Sequence, residues 1–305
     1  MKISDKIVKL KRIRRLRLTG KGSRITEDTM EKTNPVLETI YGHTSVRHFT
    51  DQEVSAEDEA AIIRAAQMAS SSCNLQPYSF ISVRDAEMRA RIAAISPGSA
   101  PAGRAPLLLM VCVDIYRLEL VTRRSGVEYT KARYLDNFLI GVADASMAAQ
   151  NAVIAAEGLG YGICYLGSIR GAMEDLRQWL KLPPKVFPMY GIAVGMPAAD
   201  RRNPVKPRLP MSGVWFREGY DKDAAAASID DYDRTMRESG VYEGRHKPLE
   251  ACVISEKKAR EAGGADPDSE YGWIEHSARR ISSTNPADIR PNLKQILEDA
   301  GFSFE

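Results

Sequence analysis

Residues 133–158 read as one long helix that is apolar nearly all the way round. Leu135, Leu139, Val142, Ser146, Ala149, Val153 and Ala156 recur at three- and four-residue steps, and the remaining faces are rich in Phe, Ile, Met and Ala. Such a helix is stable in water only when it is central to a fold or covered at a subunit interface. Asp144, Gln150 and Asn151 interrupt the run, so it reads as a buried helix and falls short of a membrane span. The rest of the chain has to pack around it.

The flanking segments supply a sheet. Residues 107–113 form a continuous apolar run entered by Pro106, the pattern of a strand buried on both faces. Residues 79–83, 162–166 and 188–194 read as further strands. Helices are expected at 57–67, where Ser55 stands three residues before Asp58 as a cap, and at 86–95 and 173–180. Further helices are expected at 223–239, 273–281 and 288–300, with a charged, Gly-rich excursion at 256–270. Strands alternate with helices only in part, which favours a three-layer α+β domain.

The 305 residues suit one large domain preceded by a tail: 1–33 as a disordered basic extension and 34–305 as the folded unit. Within that unit a core is read over 34–215 and a C-terminal arm and tail over 216–305. Residues 1–29 hold ten Lys/Arg against three acids, about +7, so a formal net charge of +3 leaves the remainder near −4. The body is therefore mildly acidic, and nucleic acid is not expected as a partner. The extension reads as a solvated tail, as a nucleic-acid or membrane-surface arm, or as sequence ahead of a start at Met30. Cys73, Cys112, Cys164 and Cys252 include no CxxC pair and no histidine at metal-ligand spacing, so no metal is expected. Without a secretory signal, a reducing cytoplasm is expected.

Four segments carry chemistry. His43, Thr44, Ser45, Arg47 and His48 crowd charge and hydroxyl groups into a few residues, a combination that grips phosphate. Ser70-Ser71-Ser72-Cys73-Asn74-Leu75-Gln76 taken alone reads first as a Ser-rich cap and turn before a strand, and otherwise offers uncharged donors and acceptors suited to a polar heterocycle. Tyr165-Leu166-Gly167-Ser168-Ile169-Arg170 lies where a strand hands over to a helix, with backbone N–H groups open to an acceptor. Asn203-Pro204-Val205-Lys206-Pro207-Arg208-Leu209-Pro210 is held extended by its prolines, so Lys206 and Arg208 point the same way. A solvated basic loop reads equally well there. Gly158, Gly160 and Gly162 follow a helix and precede a strand, the reverse of a dinucleotide fingerprint.

Taken in order, Gly42-His43-x-Ser45-x-Arg47-His48-Phe49-Thr50, the serine-rich segment, Tyr165-Leu166-Gly167 with Arg170, and Lys206-Pro207-Arg208-Leu209-Pro210 resemble the nitroreductase superfamily. Within it the chain is most similar to the oxygen-insensitive nitroreductase A and flavin reductase P subgroup, over residues 34–245 and, weakly, 273–280. The resemblance implies a three-layer α/β/α fold with a mainly antiparallel sheet. It also implies an intertwined homodimer with FMN between the subunits and the long helix at the interface. The implied activity is NADPH- or NADH-dependent reduction of a small-molecule acceptor, a nitroaromatic or quinone, by ping-pong hydride transfer through flavin N5. A flavin reductase supplying reduced FMN, or a non-catalytic flavin- or nucleic-acid-binding regulator, is the alternative.

Carried over residue by residue, His43, Ser45, Lys206 and Arg208 hold the FMN phosphate. Thr44 sits among them where the subgroup usually has arginine. Arg47 lies near the pyrimidine edge of the flavin, where it favours the reduced anion. Ser71, Cys73, Asn74 and Gln76 contact the ring and ribityl chain. Backbone at Gly167 and Ser168 reaches flavin N5, Leu166 is among the cofactor-binding residues, and Arg170 borders the active site, so Arg47, Ser168 and Arg170 form the catalytic set. Arg234, Arg237 and Arg245 are candidates for the NADPH 2′-phosphate.

Overall fold

In the computed structural model, residues 33–201, 203–244, 271–285 and 289–305 are described. The basic extension up to residue 32, Cys252, Arg245 and the 256–270 excursion lie outside them. Four strands form one sheet: β1 (Tyr78–Val83), β2 (Leu107–Asp114), β3 (Gly162–Leu166) and β4 (Val186–Gly195), in the order β1-β2-β4-β3. All three pairings are antiparallel, as expected from the resemblance.

Every residue of β2 is buried, so both faces of the sheet are covered. The helices up to residue 238 are α1 (Pro35–Tyr41), α2 (Ala56–Gln67), α3 (Ala86–Ala93), α4 (Pro101–Arg104), α5 (Tyr116–Arg124), α6 (Leu135–Gly158), α7 (Met173–Trp179) and α8 (Lys222–Glu238). Alternate β2 side chains sort the layers. Leu107, Leu109 and Val111 pack with Ile62 of α2 and with Ala148, Ala152 and Val153 of α6. Leu108 and Met110 pack with Ile92 of α3, Ala102 of α4 and Leu176 of α7. Period-two alternation thus builds a helix layer on each face, each fully buried Leu, Ile or Val contributing about 1.5–3 kcal/mol. A third cluster joins Val113, Ile115, Met173 and Phe187 to Leu297 and Phe302, so the helix Leu293–Asp299 closes one end of the sheet.

Helix α6 is 24 residues long and apolar enough to cross a membrane by length and composition. Here it is a core helix. It packs on α2 and the sheet, and buries Asp144, which accepts the Ser72 N–H.

Several boundaries differ from expectation for definable reasons. The strand expected from Pro188 begins at Val186, because Pro188 sits at the register shift opposite Val111 and Cys112. A bulge is a place where a strand tolerates a missing N–H. The last helix starts at Leu293, since Pro291 disfavours helical backbone at Arg290, whose φ is 45°. Three helices, α1, α4 and α5, were not anticipated. α1 precedes the His43 cluster and is capped by Asn34, which accepts from the N–H groups of Val36 and Leu37. α5 is short, charged and without buried residues. The expected cap at α2 is present: Ser55 accepts the Asp58 N–H at 3.0 Å.

The His43 segment is stitched to the sheet edge. Val46 N–H donates to Ile163 O at 2.8 Å, and Ser45 bridges Ile163 in parallel. Val46 lies directly over Gly162: a Cβ there would stand 2.5 Å from Val46 Cγ2 and 2.8 Å from Val46 Cβ. Gly162→Ala is therefore expected to lower stability by about 1–3 kcal/mol through overpacking, read as a shifted urea midpoint. An unchanged midpoint would show that the segment yields freely.

Candidate functional site

The first and fourth sequence segments meet. His43, Thr44, Ser45, Arg47, Asn203, Pro204, Lys206 and Arg208 line one cavity of about 160 Å³. At ~30 Å³ per water, that is room for about five waters, enough for a phosphate monoester and the start of its tail. Backbone contacts set its walls. Asn203 Nδ2 donates to Ser45 O at 3.1 Å, tying the proline-held segment to the strand edge. The Tyr232 hydroxyl of α8 donates to Pro207 O at 3.0 Å, and Trp273 packs edge-on against Tyr232 at 5.1 Å. The C-terminal arm thus braces the strip that carries both cations.

His43 lines the same cavity with its ring already engaged. Its Nδ1 lies 2.6 Å from Glu157 Oε1, in the last turn of α6. Burial pushes the Glu157 carboxyl up, against the hydrogen bond and charge of His43, which pull it down. Glu157 and Asn203 were not singled out from the sequence. A signal existed for the first: an acid in the last turn of a helix opposes the helix dipole and needs a cationic partner.

Arg47 is exposed and donates to Ser45 O at 3.4 Å, while Arg104 donates to Arg47 O at the same distance. The third segment lies at the end of β3. Leu166 is fully buried in the sheet. Ser168 shares a hydrogen bond of 2.8 Å with Ser99. Arg170 turns back toward the fold and donates to Met189 O at 3.1 Å, with its guanidinium against Gly167. Burial, then the charge of Arg290, pushes the Arg170 pKa down. Beside it Tyr190 donates to Ser146 Oγ at 2.9 Å and packs edge-on to Tyr165 at 5.3 Å. Burial raises both phenols, which therefore stay neutral.

The second segment is not among the residues lining this cavity. Ser71, Cys73, Asn74 and Gln76 form a short turn ahead of β1, with φ of 49° at Cys73, 57° at Asn74 and 52° at Gln76. Asp144 of α6 clamps it by accepting the Ser72 N–H at 3.0 and 3.2 Å. Of the NADPH candidates, Arg234 pairs with Asp231 at 2.5 Å and Arg237 with Asp233 at 2.6 Å. Cys112 and Cys164 are buried free thiols, as small hydrophobes should be. Burial pushes Cys112 up to about 12 and Cys164 upward as well, so neither is a thiolate. Among the described residues no cluster of His, Cys, Asp or Glu suits a metal ion.

Comparison with known proteins identifies the framework. The nitroreductase family matches residues 40–196, and the nitroreductase family C-terminal domain matches residues 206–305. A Cr(VI) reductase from Pseudomonas sp. (strain G-1) is 38% identical over 270 residues, 88% of this chain and all of the relative. An FMN reductase (NADPH) from Bacillus subtilis (strain 168) is 35% identical over 208 residues, 67% of this chain and 82% of the relative. The solved structure of B. megaterium NfrA2 superposes with a TM-score of 0.75 at 32% identity, covering 90% of this chain and all of that one. The chain belongs to the nitroreductase family. It is an FMN-dependent oxidoreductase.

The residues present fit that cofactor. A phosphate monoester is close to doubly negative at neutral pH, and Lys206, Arg208 and Arg47 offer three cations around one small cavity. Arg208→Gln is expected to weaken FMN binding about ten- to a hundredfold, since a charged hydrogen bond is worth about 1.5–3 kcal/mol, and to leave riboflavin binding unchanged. Thr44→Arg adds a cation to the same wall and is expected to tighten FMN binding, again without effect on riboflavin. Titration of the apoprotein with each flavin separates these outcomes, and equal effects on both flavins would deny the cavity its phosphate role.

Proposed function

We propose that the chain reduces small-molecule acceptors, nitroaromatics or quinones, at the expense of NADPH. The observation that carries the reading is the cavity where His43, Ser45 and Arg47 face Lys206 and Arg208, an anion grip with the charge and size of a flavin phosphate. When bound, FMN supplies the redox chemistry, taking hydride from the reductant and delivering electrons to the acceptor in alternate half-reactions.

The protein's own part is to bind, orient and polarise. His43, Ser45, Lys206 and Arg208 would hold the phosphate. Arg47, on the same segment, would turn its fixed charge toward the pyrimidine edge and favour the reduced, negatively charged form. Leu166, Gly167 and Ser168 would present backbone to the ring, and Ser99 holds the Ser168 side chain in place. Arg170, tied to Met189 O, would border the substrate space with a charge that does not swing freely. Arg234 and Arg237, each already paired with an aspartate, would have to exchange that partner to meet the 2′-phosphate of NADPH.

The reductant is proposed as NADPH because the B. subtilis relative is named FMN reductase (NADPH). That name also favours a second reading, in which free FMN is the physiological acceptor. The purified holoprotein should show a flavin spectrum that bleaches on anaerobic addition of NADPH and returns with nitrofurazone or a quinone. Turnover with free FMN exceeding that with nitrofurazone would favour the second reading. Chromate belongs in the same series, because the Pseudomonas relative is named a Cr(VI) reductase. A protein that neither binds FMN nor oxidises NADPH would sink both readings.

The working unit is proposed to be a homodimer, in which the segment around Cys73 and Asn74 completes the flavin site of the other protomer. Apolar side chains left exposed along α6 support this: Leu135, Leu139 and Met147, with Met68 at the end of α2, which packs on α6. The three free thiols among the described residues suit a reducing cytoplasm as its compartment. Leu139→Glu is expected to shift the sedimenting species from dimer to monomer and to release the flavin. Sedimentation of the wild type as a monomer would refute the shared site.

A further inference from the structure

The geometry points to Glu157 as a positioning residue for the anion cavity: it shares a proton with His43 Nδ1, so that His43 Nε2–H faces the phosphate, and wherever the free pair has given up its second proton, FMN binding restores it. This rests on the FMN reading above and deepens it. The starting observation is the 2.6 Å contact between His43 Nδ1 and Glu157 Oε1, with side-chain exposures of 29% and 12%, beside a cavity that His43 itself lines.

Proton counting decides what the pair offers an anion. With Nδ1 engaged by Glu157, Nε2 is the only ring nitrogen left for a ligand. If the pair holds one labile proton, it sits between Nδ1 and Oε1. The pair then has a net charge of −1, and Nε2 presents a lone pair that a phosphate oxygen repels. If the pair holds two, one is shared between Nδ1 and Oε1 and the other is on Nε2. The pair is then neutral overall and donates a hydrogen bond into the cavity. The two arrangements of the shared proton, imidazolium with carboxylate or imidazole with carboxylic acid, look the same to the phosphate. Burial of Glu157 disfavours the singly protonated, negative pair, so the fold itself leans toward the donating state.

The surrounding charges agree. Across the cavity stand Lys206 and Arg208, with Arg47 on the same segment as His43. Helix α1, which packs on α6, carries Glu38 and Tyr41. On α2 Asp58 accepts from the Tyr161 hydroxyl at 2.7 Å, and on β3 Tyr165 feels the Glu157 charge and stays a neutral phenol. A bound phosphate adds up to two negative charges facing Nε2. It therefore holds the second proton in place, and by linkage its affinity must fall as pH rises through the titration of the free pair.

The test is FMN and riboflavin binding to the apoprotein, followed by flavin fluorescence from pH 7 to 9.5. Above about pH 7 the FMN phosphate is already doubly ionised, and Lys and Arg remain charged through this window, so neither supplies a slope. As the free pair gives up its second proton, the wild-type FMN dissociation constant should rise, by at most tenfold per pH unit, while that of riboflavin stays flat. Glu157→Gln replaces the shared proton with an amide N–H donated to Nδ1, which fixes Nε2–H without any titration. Its FMN affinity should be independent of pH within about twofold and tighter than wild type at pH 9.5. His43→Gln removes the pair and should be flat but weaker. Riboflavin binding serves as the check that each variant is folded. A wild-type constant that does not change, or a slope retained in Glu157→Gln, overturns the inference while leaving the FMN reading intact. Failure of the wild type to bind FMN at any pH overturns both.

Discussion

A 24-residue helix that is apolar on nearly every face has to be covered, and the chain covers one side of it with α2 and the sheet. What makes α6 more than a core element is the small set of polar residues it retains. Asp144 holds the Ser72 N–H, Ser146 accepts from Tyr190, Gln150 accepts from Tyr165, Asn151 donates to Ala65 O, and Glu157 meets His43. Leaving any of these but the exposed Gln150 unpaired would cost about 1–3 kcal/mol. Each is satisfied by a different segment, and several of those segments contribute to the site. The helix that the hydrophobic effect forces inside therefore also fixes the positions of the His43 segment, the serine-rich turn and the Tyr165–Tyr190 corner.

The anion cavity follows from two strips of backbone with little regular structure of their own. One is hydrogen-bonded to the outer edge of β3, where Gly162 lets Val46 come close. The other is kept extended by prolines and tied at both ends, by Asn203 to Ser45 and by Pro207 to Tyr232. Rigid strips suit the task, because like charges at Arg47, Lys206 and Arg208 repel in the empty cavity. A flexible loop would relax that repulsion by moving the cations apart, and binding would then have to reassemble them.

How much of this was legible depended on whether the cause was local. The strand 162–166 and the helix 273–281 could be read to the residue, because their apolar spacing and flanking glycines are local signals. So could the meeting of Lys206 and Arg208 in one cavity, since proline fixes the backbone that sets their direction. The α1 helix was missed because it buries nothing and rests on one capping asparagine. Glu157 was missed because a single acid at a helix end looks like a solvated residue. Its partner lies 114 positions away, and only the fold brings them together. The pairing of Arg170 with Met189 O is of the same kind.

The serine-rich turn remains the most demanding part of the chain. Cys73, Asn74 and Gln76 all lie in left-handed backbone, where a residue other than glycine carries a cost of about 1–3 kcal/mol. Asparagine tolerates this conformation; cysteine and glutamine do so less well. Local sequence would relax such a turn, so tertiary contacts must hold it: Asp144 clamps Ser72 from one side, and Arg117 donates to Gln76 O at 3.1 Å from the other. Both clamps act at the ends of the turn, and Cys73, Asn74 and Leu75 between them remain exposed. Backbone strain held at its ends and left open at its middle is suited to presenting polar groups to something outside the protomer. That is what supports the proposed dimer, in which the exposed middle of this turn meets a second copy of the chain.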